Sequence, residues 1–208
     1  MADLKQFPAW RAFLAEMKKG KENAPASPEA KEDEDGQTPE EAIESAHASL
    51  RSQLAADVLA RVKVSDPLFF ERLVIDLLLK MGYGGSRAEA GRATKASGDG
   101  GIDGVIDEDR LGLDAVYLQA KRWAGSVGEP ELRDFVGALH SHRANKGVFI
   151  TTSEFSAAAK TYVEKVQFKI SLIDGRRLAE LMIDFNVGVS LAHNYEIKRI
   201  DTDYFDGA

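Results

Sequence analysis

Between Ile102 and Phe185 short β-branched runs alternate with segments of helical period, and that alternation constrains the fold more than any other feature of the chain. Ile102 to Ile106 and Ala115 to Ala120 are predicted as neighbouring strands joined by a polar connection containing Asp109 and Gly112. Glu129-Pro130-Glu131 opens a helix whose apolar face is Leu132, Phe135, Val136 and Leu139. Gly147 to Thr151 is then a strand, Ser156 to Val166 a helix, Ile170 to Ile173 a strand, and Arg176 to Phe185 a helix, with Tyr195 to Ile200 as a last edge strand. A hairpin followed by alternating strands and helices implies an α/β class with a mixed sheet and helices on both faces.

Upstream of that core the texture differs. Residues 1–37 pass from a short aromatic segment, Phe7, Trp10 and Phe13, into a stretch with Pro25, Pro28 and a run of acids from Glu32 to Asp35, which reads as a flexible linker. Thr38-Pro39-Glu40-Glu41 carries a capping residue, a first-turn proline and acids at the positive end of a helix dipole, so a leading helix is expected over 38–64. Ser65-Asp66-Pro67 restarts the pattern, and Leu68, Phe69, Leu73, Leu77 and Met81 continue it until Gly82. The core is placed at 65–200 and the whole domain at 38–208. A glycine-rich turn region is expected between Gly82 and the first strand of the hairpin.

The chain has no cysteine, which excludes disulfides, thiolate catalysis and cysteine-based zinc sites, so any metal must sit on oxygen or imidazole ligands. With neither an apolar run of membrane-spanning length nor a signal-like amino terminus, the expectation is a cytoplasmic protein without a membrane partner. A net charge of −7 argues against a nucleic-acid partner at first sight. Much of that charge lies in Glu29 to Glu44 and in the tail from Asp201, outside the core.

The most informative segment is Gly98-Asp99-Gly100-Gly101-Ile102-Asp103-Gly104, followed sixteen positions after Asp103 by Gln119-Ala120-Lys121. Alone, Asp103 is a turn aspartate and Lys121 a snorkelling strand-end lysine. Strand alternation changes this, because Gln119 and Lys121 share a face while Ala120 points away. An acid on one strand, with an amide oxygen and an ammonium together on its neighbour, can hold Mg2+ and a phosphate. Mg2+ takes oxygen ligands and keeps several waters, and Mn2+ can substitute for it. Lys121 would orient or help deprotonate an attacking water and offset charge on phosphorus. Glu71 adds an independent hint: it shares a helical stripe with Leu68, Ile75 and Leu78, where an unpaired carboxylate is costly unless a metal or a cation meets it.

Weaker candidates remain. Thr151, Thr152 and Ser153 at a strand end suit either DNA phosphate or a local turn. Arg87, Arg92, Lys95 and Arg122 flank the site and suit backbone phosphates or solvent. His140 and His142 are close in sequence but not on one helix face, and read as surface histidines. Nucleotide-binding glycine motifs are absent.

Taken together, Phe69-Phe70-Glu71-Arg72-Leu73, the Gly98 to Gly104 segment, Tyr117-Leu118-Gln119-Ala120-Lys121-Arg122-Trp123 and Lys146-Gly147-Val148-Phe149-Ile150-Thr151-Thr152-Ser153 resemble the catalytic domain of the Mrr family of restriction endonucleases. The resemblance runs from about Thr38 to the carboxyl terminus. It implies a restriction-endonuclease-like fold of the PD-(D/E)xK nuclease superfamily, in the variant with glutamine before the lysine. Asp103, Gln119 and Lys121 are then the catalytic core, Glu71 is the helix-borne acid, and the metal ligands are Asp103, Gln119 and Glu71. It further implies type IV restriction, the Mg2+-dependent cutting of modified, typically methylated, double-stranded DNA. Family members usually add an amino-terminal winged-helix reading domain. Here only the aromatic segment near Leu4 to Leu14 is similar to the end of such a domain, so a fragment, a stand-alone nuclease and one served by a separate recognition subunit are all open. One carboxylate fewer at the metal implies weak Mg2+ binding. Cutting both strands calls for two sites, hence a homodimer or higher oligomer. The alternatives are a junction resolvase acting on branched DNA and a non-catalytic DNA-binding module.

Overall fold

The computed structural model describes residues 37–84, 91–93, 101–108 and 113–206; the acidic linker, Arg87, Lys95, Gly98, Asp99 and Gly100 lie outside the described residues. The chain divides into two compact units, Met1–Arg51 and Ser52–Ala208. In the first, the described part is the amino-terminal half of helix α1 (Pro39–Val64). It starts with a reciprocal cap, in which Glu41 N–H donates to Thr38 Oγ1 at 3.3 Å and Thr38 N–H donates to the Glu41 carboxylate at 2.9 Å.

In the second unit α1 continues to Val64 and buries Val58 and Val62. Asp66 then caps α2 (Pro67–Lys80), accepting from the N–H groups of Leu68 and Phe69. The helix ends as the sequence suggests. Gly82 adopts φ +98°, and Tyr83 N–H reaches back to Leu78 O while Gly82 N–H reaches Leu79 O, so two end carbonyls are satisfied by a left-handed turn that favours glycine. The buried face is rotated from the expected one. Phe70, Leu73, Val74, Leu77 and Leu78 are inside, whereas Leu68 and Phe69 are 58% and 48% exposed.

Five strands follow in the spatial order of their sequence: β1 (Gly91–Ala93), β2 (Gly104–Asp107), β3 (Ala115–Lys121), β4 (Lys146–Thr151) and β5 (Lys169–Ile173). β1, β2 and β3 are antiparallel neighbours, and β3, β4 and β5 are parallel. Parallel neighbours need crossovers, here α3 (Glu129–Ser141) and α4 (Ala157–Lys165), and α5 (Gly175–Asp184) follows β5. The mixed sheet with helices on both faces is as expected. Val116, Leu118, Val148, Ile150 and Ile173 pack with α1, α2 and α5, while Phe149 and the half-buried Tyr117 pack with α3 and α4. This alternation along β3 assigns Gln119 and Lys121 to the parity of Tyr117.

Two expectations are corrected. The region before the hairpin, expected as turn alone, contributes β1, three residues too short to leave a periodic signal. Conversely, 189–201 have no regular structure and Tyr195, Ile197 and Ile200 are 84%, 71% and 76% exposed, so the expected last strand is absent. Alternation can suggest a strand, but only a partner for its N–H and C=O groups makes one. A short helix α6 (Thr202–Asp206) follows instead. Among the described residues no helix is long and apolar enough to cross a membrane.

Candidate functional site

The end of β3 and the approach to β2 bring the sequence candidates together. Asp103 lies one residue before β2, where its N–H donates to Leu118 O at 2.8 Å and its Oδ2 accepts from Ala120 N–H at 2.7 Å. The carboxylate is thereby held against β3 between Gln119 and Lys121. Burial pushes its pKa from 3.8 up to about 6. The Ala120 hydrogen bond opposes that rise, nearby Glu71 adds to it by repulsion, and Lys121 opposes it. Glu71 and Lys121 therefore both stand within electrostatic reach of Asp103. Glu71 is half-buried between Ile75 and Leu78, which are inside, and Leu68, which is not.

Gln119 is turned toward Gly101. That glycine has φ +95°, and a Cβ there would stand 3.0 Å from Gln119 Nε2, so the amide lies directly against its backbone. Among the described residues, Gln119 Oε1 is the buried side-chain atom left without a hydrogen-bond partner. A buried amide oxygen without a donor is costly, and such atoms often mark a missing ion or water.

The fit to a divalent cation can be judged from these groups. All the candidate donors are oxygens, the Asp103 and Glu71 carboxylates and Gln119 Oε1, which suits a hard ion. A cation would remove the repulsion between the acids, favour ionised Asp103 and satisfy the orphaned oxygen. Among the described residues there is no cluster of three or more His, Cys, Asp or Glu side chains.

The flanking candidates turn out differently. Thr151 and Thr152 are 0% and 1% exposed, with their hydroxyls already engaged, so neither is open to a phosphate. Thr151 Oγ1 donates to Lys121 O at 2.9 Å and accepts from Ser153 N–H at 3.2 Å. Thr152 Oγ1 donates to Trp123 O at 3.0 Å and accepts from Trp123 N–H at 3.1 Å. Past the last ladder pair, Lys121 with Thr151, these hydroxyls replace ladder hydrogen bonds and fix the backbone that carries Lys121. Ser153 is half-buried, with its hydroxyl 3.2 Å from that of Thr151. Arg122 donates from Nη1 to Lys63 O at 2.8 Å, satisfying a carbonyl in the last turn of α1. His140 and His142 are exposed.

Trp123 was not singled out by the sequence reading. Its ring centroid lies 4.0 Å from Lys121 Nζ. The available signal was an aromatic residue two positions beyond a strand-end lysine.

The support beneath this site is tight. A Cβ on Gly175, the first residue of α5, would stand 2.4 Å from Thr152 O, and Gly175 N–H donates to Ser153 O at 2.9 Å. Gly175→Ala must push α5 off the β4 end and is expected to destabilise the protein by roughly 2–3 kcal/mol. A fall in the urea midpoint at unchanged slope would show it; an unchanged midpoint would mean that the backbone yields at little cost.

Comparison with known proteins identifies the family of the chain. A family profile described as restriction endonuclease, Mrr_cat, matches residues 62–182. The chain is 44% identical over 169 residues to the type IV methyl-directed restriction enzyme EcoKMrr of Escherichia coli (strain K12), a match covering 81% of this chain and 55% of that protein. It thus spans about half the length of that relative. Among solved structures it is similar to the DNA modification-dependent restriction endonuclease AspBHI, with TM-score 0.51 and 20% identity, covering 67% of this chain and 36% of that one. MspJI restriction endonuclease, solved with a 27-mer oligonucleotide, gives TM-score 0.40 and 24% identity over 79% of this chain and 37% of that one.

Proposed function

Because this chain belongs to the Mrr-type restriction endonuclease family, we propose that it is a Mg2+-dependent endodeoxyribonuclease that cuts modified, in the first instance methylated, double-stranded DNA. The observation that carries the reading is the buried, partnerless Gln119 Oε1 on the strand whose next residue, Ala120, holds a desolvated Asp103. A fold with no use for an ion there would gain stability by losing both.

On this reading Asp103, Gln119 and Glu71 hold the metal, which supplies Lewis-acid polarisation of the phosphate and a more acidic water. The remaining chemistry belongs to the chain. Lys121 places its ammonium beside the scissile phosphate and offsets the negative charge that grows on the non-bridging oxygens as water attacks phosphorus and the bond to the leaving sugar oxygen breaks. Thr151 and Thr152 contribute indirectly, by clamping the backbone at Lys121 and Trp123. Methyl direction follows the E. coli relative, a type IV methyl-directed restriction enzyme of which this chain covers 55%. A separate recognition domain or subunit, and a second copy to cut the second strand, belong to the same proposal.

The test is cleavage of methylated and unmethylated plasmid with Mg2+ or EDTA, comparing wild type with Asp103→Ala. Mg2+-dependent cutting of the methylated plasmid, lost in the variant, is expected. Cutting that survives EDTA or the substitution overturns the metal site, and equal cutting of both plasmids overturns the methyl preference.

Gly101 gives a finer check. In Gly101→Ala the new Cβ is forced into left-handed backbone and against Gln119 Nε2, displacing the amide. The Mg2+ concentration for half-maximal cleavage should rise roughly tenfold, in line with the loss expected when a residue supporting a ligand is disturbed. An unchanged Mg2+ titration would remove Gln119 from the ligand set.

A further inference from the structure

We propose that Trp123 is a positioning residue for Lys121: its ring face holds the ammonium and fixes the direction in which that charge enters the site, a role that rests on the nuclease reading above. Lys121 Nζ stands 4.0 Å from the Trp123 ring centroid, within cation–π distance. Among the described residues Lys121 forms no ion pair and its ammonium donates no hydrogen bond, so the ring is its described partner. Asp103 exerts an electrostatic pull on it but does not bond it.

The backbone that carries the ring is held in place. Trp123 N–H and C=O both bond the hydroxyl of Thr152, which is 1% exposed and anchored on β4. Those bonds use backbone atoms alone, so the clamp survives replacement of the indole. Trp123 is 38% exposed, so its ring is open to the ammonium on one side. A lysine has four side-chain torsions to restrain, and a cation–π contact is comparable in size to the freedom it gives up on being fixed. Misplacing a catalytic group by an ångström lowers turnover without weakening the ground-state complex.

Trp123→Leu is therefore expected to lower kcat roughly five- to tenfold with KM within about twofold, and Trp123→Phe, which keeps a ring face, to recover most of the loss. The second readout needs neither metal nor DNA. In the wild-type protein the ε-methylene protons of Lys121 should be displaced upfield by the indole ring current, less so in the Phe variant and not at all in the Leu variant. A Leu variant with wild-type kcat, or one changed in KM alone, overturns the proposal, the second by making Trp123 a DNA contact. So does a wild-type lysine without the upfield displacement. A wild-type protein that neither cuts DNA nor binds Mg2+ sinks the nuclease reading and this role with it, whereas a protein that cuts but shows an unshifted lysine sinks the role alone.

Discussion

Lys121→Ala is expected to lower DNA cleavage by roughly 10²–10³-fold while leaving the melting temperature within a few degrees of wild type. The size follows from where the ammonium stands. It is close enough to Asp103 to stabilise that carboxylate, and it lies at the end of β3 where a phosphate held by the site would develop charge. Losing the positive charge removes an interaction that grows during the reaction, so kcat should fall with little change in KM. Stability should hold because the side chain is only half-buried and its backbone is fixed independently by Thr151. Lys121→Met separates charge from bulk: it keeps an unbranched side chain of similar length without the ammonium and should be as inactive as alanine. If either variant retains metal-dependent cleavage near the wild-type rate, Lys121 is not the catalytic cation.

How far such a site can be read from sequence depends on whether the geometry is local. The pairing of Gln119 with Lys121 requires only the period of a strand, and their relation to Asp103 only a hairpin, so both were legible. Glu71 was legible for a partly mistaken reason. Its stripe contains Ile75 and Leu78, which are buried, but also Leu68, which faces solvent. The half-buried carboxylate sits at the edge of the helix's buried face, which is where a charged side chain can reach both core and site.

What the sequence left open or misread required knowing partners far apart in the chain. Thr151 and Thr152 carry hydroxyls that suit phosphate or backbone equally well, and only the parallel register of β3 and β4 shows that the carbonyls of Lys121 and Trp123 receive them. Arg122 meets a carbonyl 59 residues away. Tyr195 to Ile200 has the alternation of a strand and finds no partner, while Gly91–Ala93 has no alternation to show and finds one in β2.

Asp103→Asn should abolish cleavage and, in EDTA, make the protein more stable. Burial raises the Asp103 pKa to about 6 in the folded state, whereas an unfolded chain would hold it near 3.8. Below the unfolded value the carboxyl is protonated in both states and exacts no electrostatic penalty. As pH rises through the folded value the native state must carry a poorly solvated charge beside Glu71, and stability declines. A shift of about two units corresponds to roughly 3 kcal/mol by linkage, an upper bound for a group of intermediate exposure. Asparagine avoids that penalty and keeps an oxygen to accept from Ala120 N–H. The variant should therefore gain about 1–3 kcal/mol over wild type at pH 8, and the two urea curves should converge as pH approaches 4. Added Mg2+ should narrow the gap from the other side, stabilising wild type while leaving the variant nearly unmoved. A variant no more stable than wild type at pH 8 would mean that the buried carboxylate is already compensated within the chain, and the argument that this site is built for a cation would lose its energetic basis.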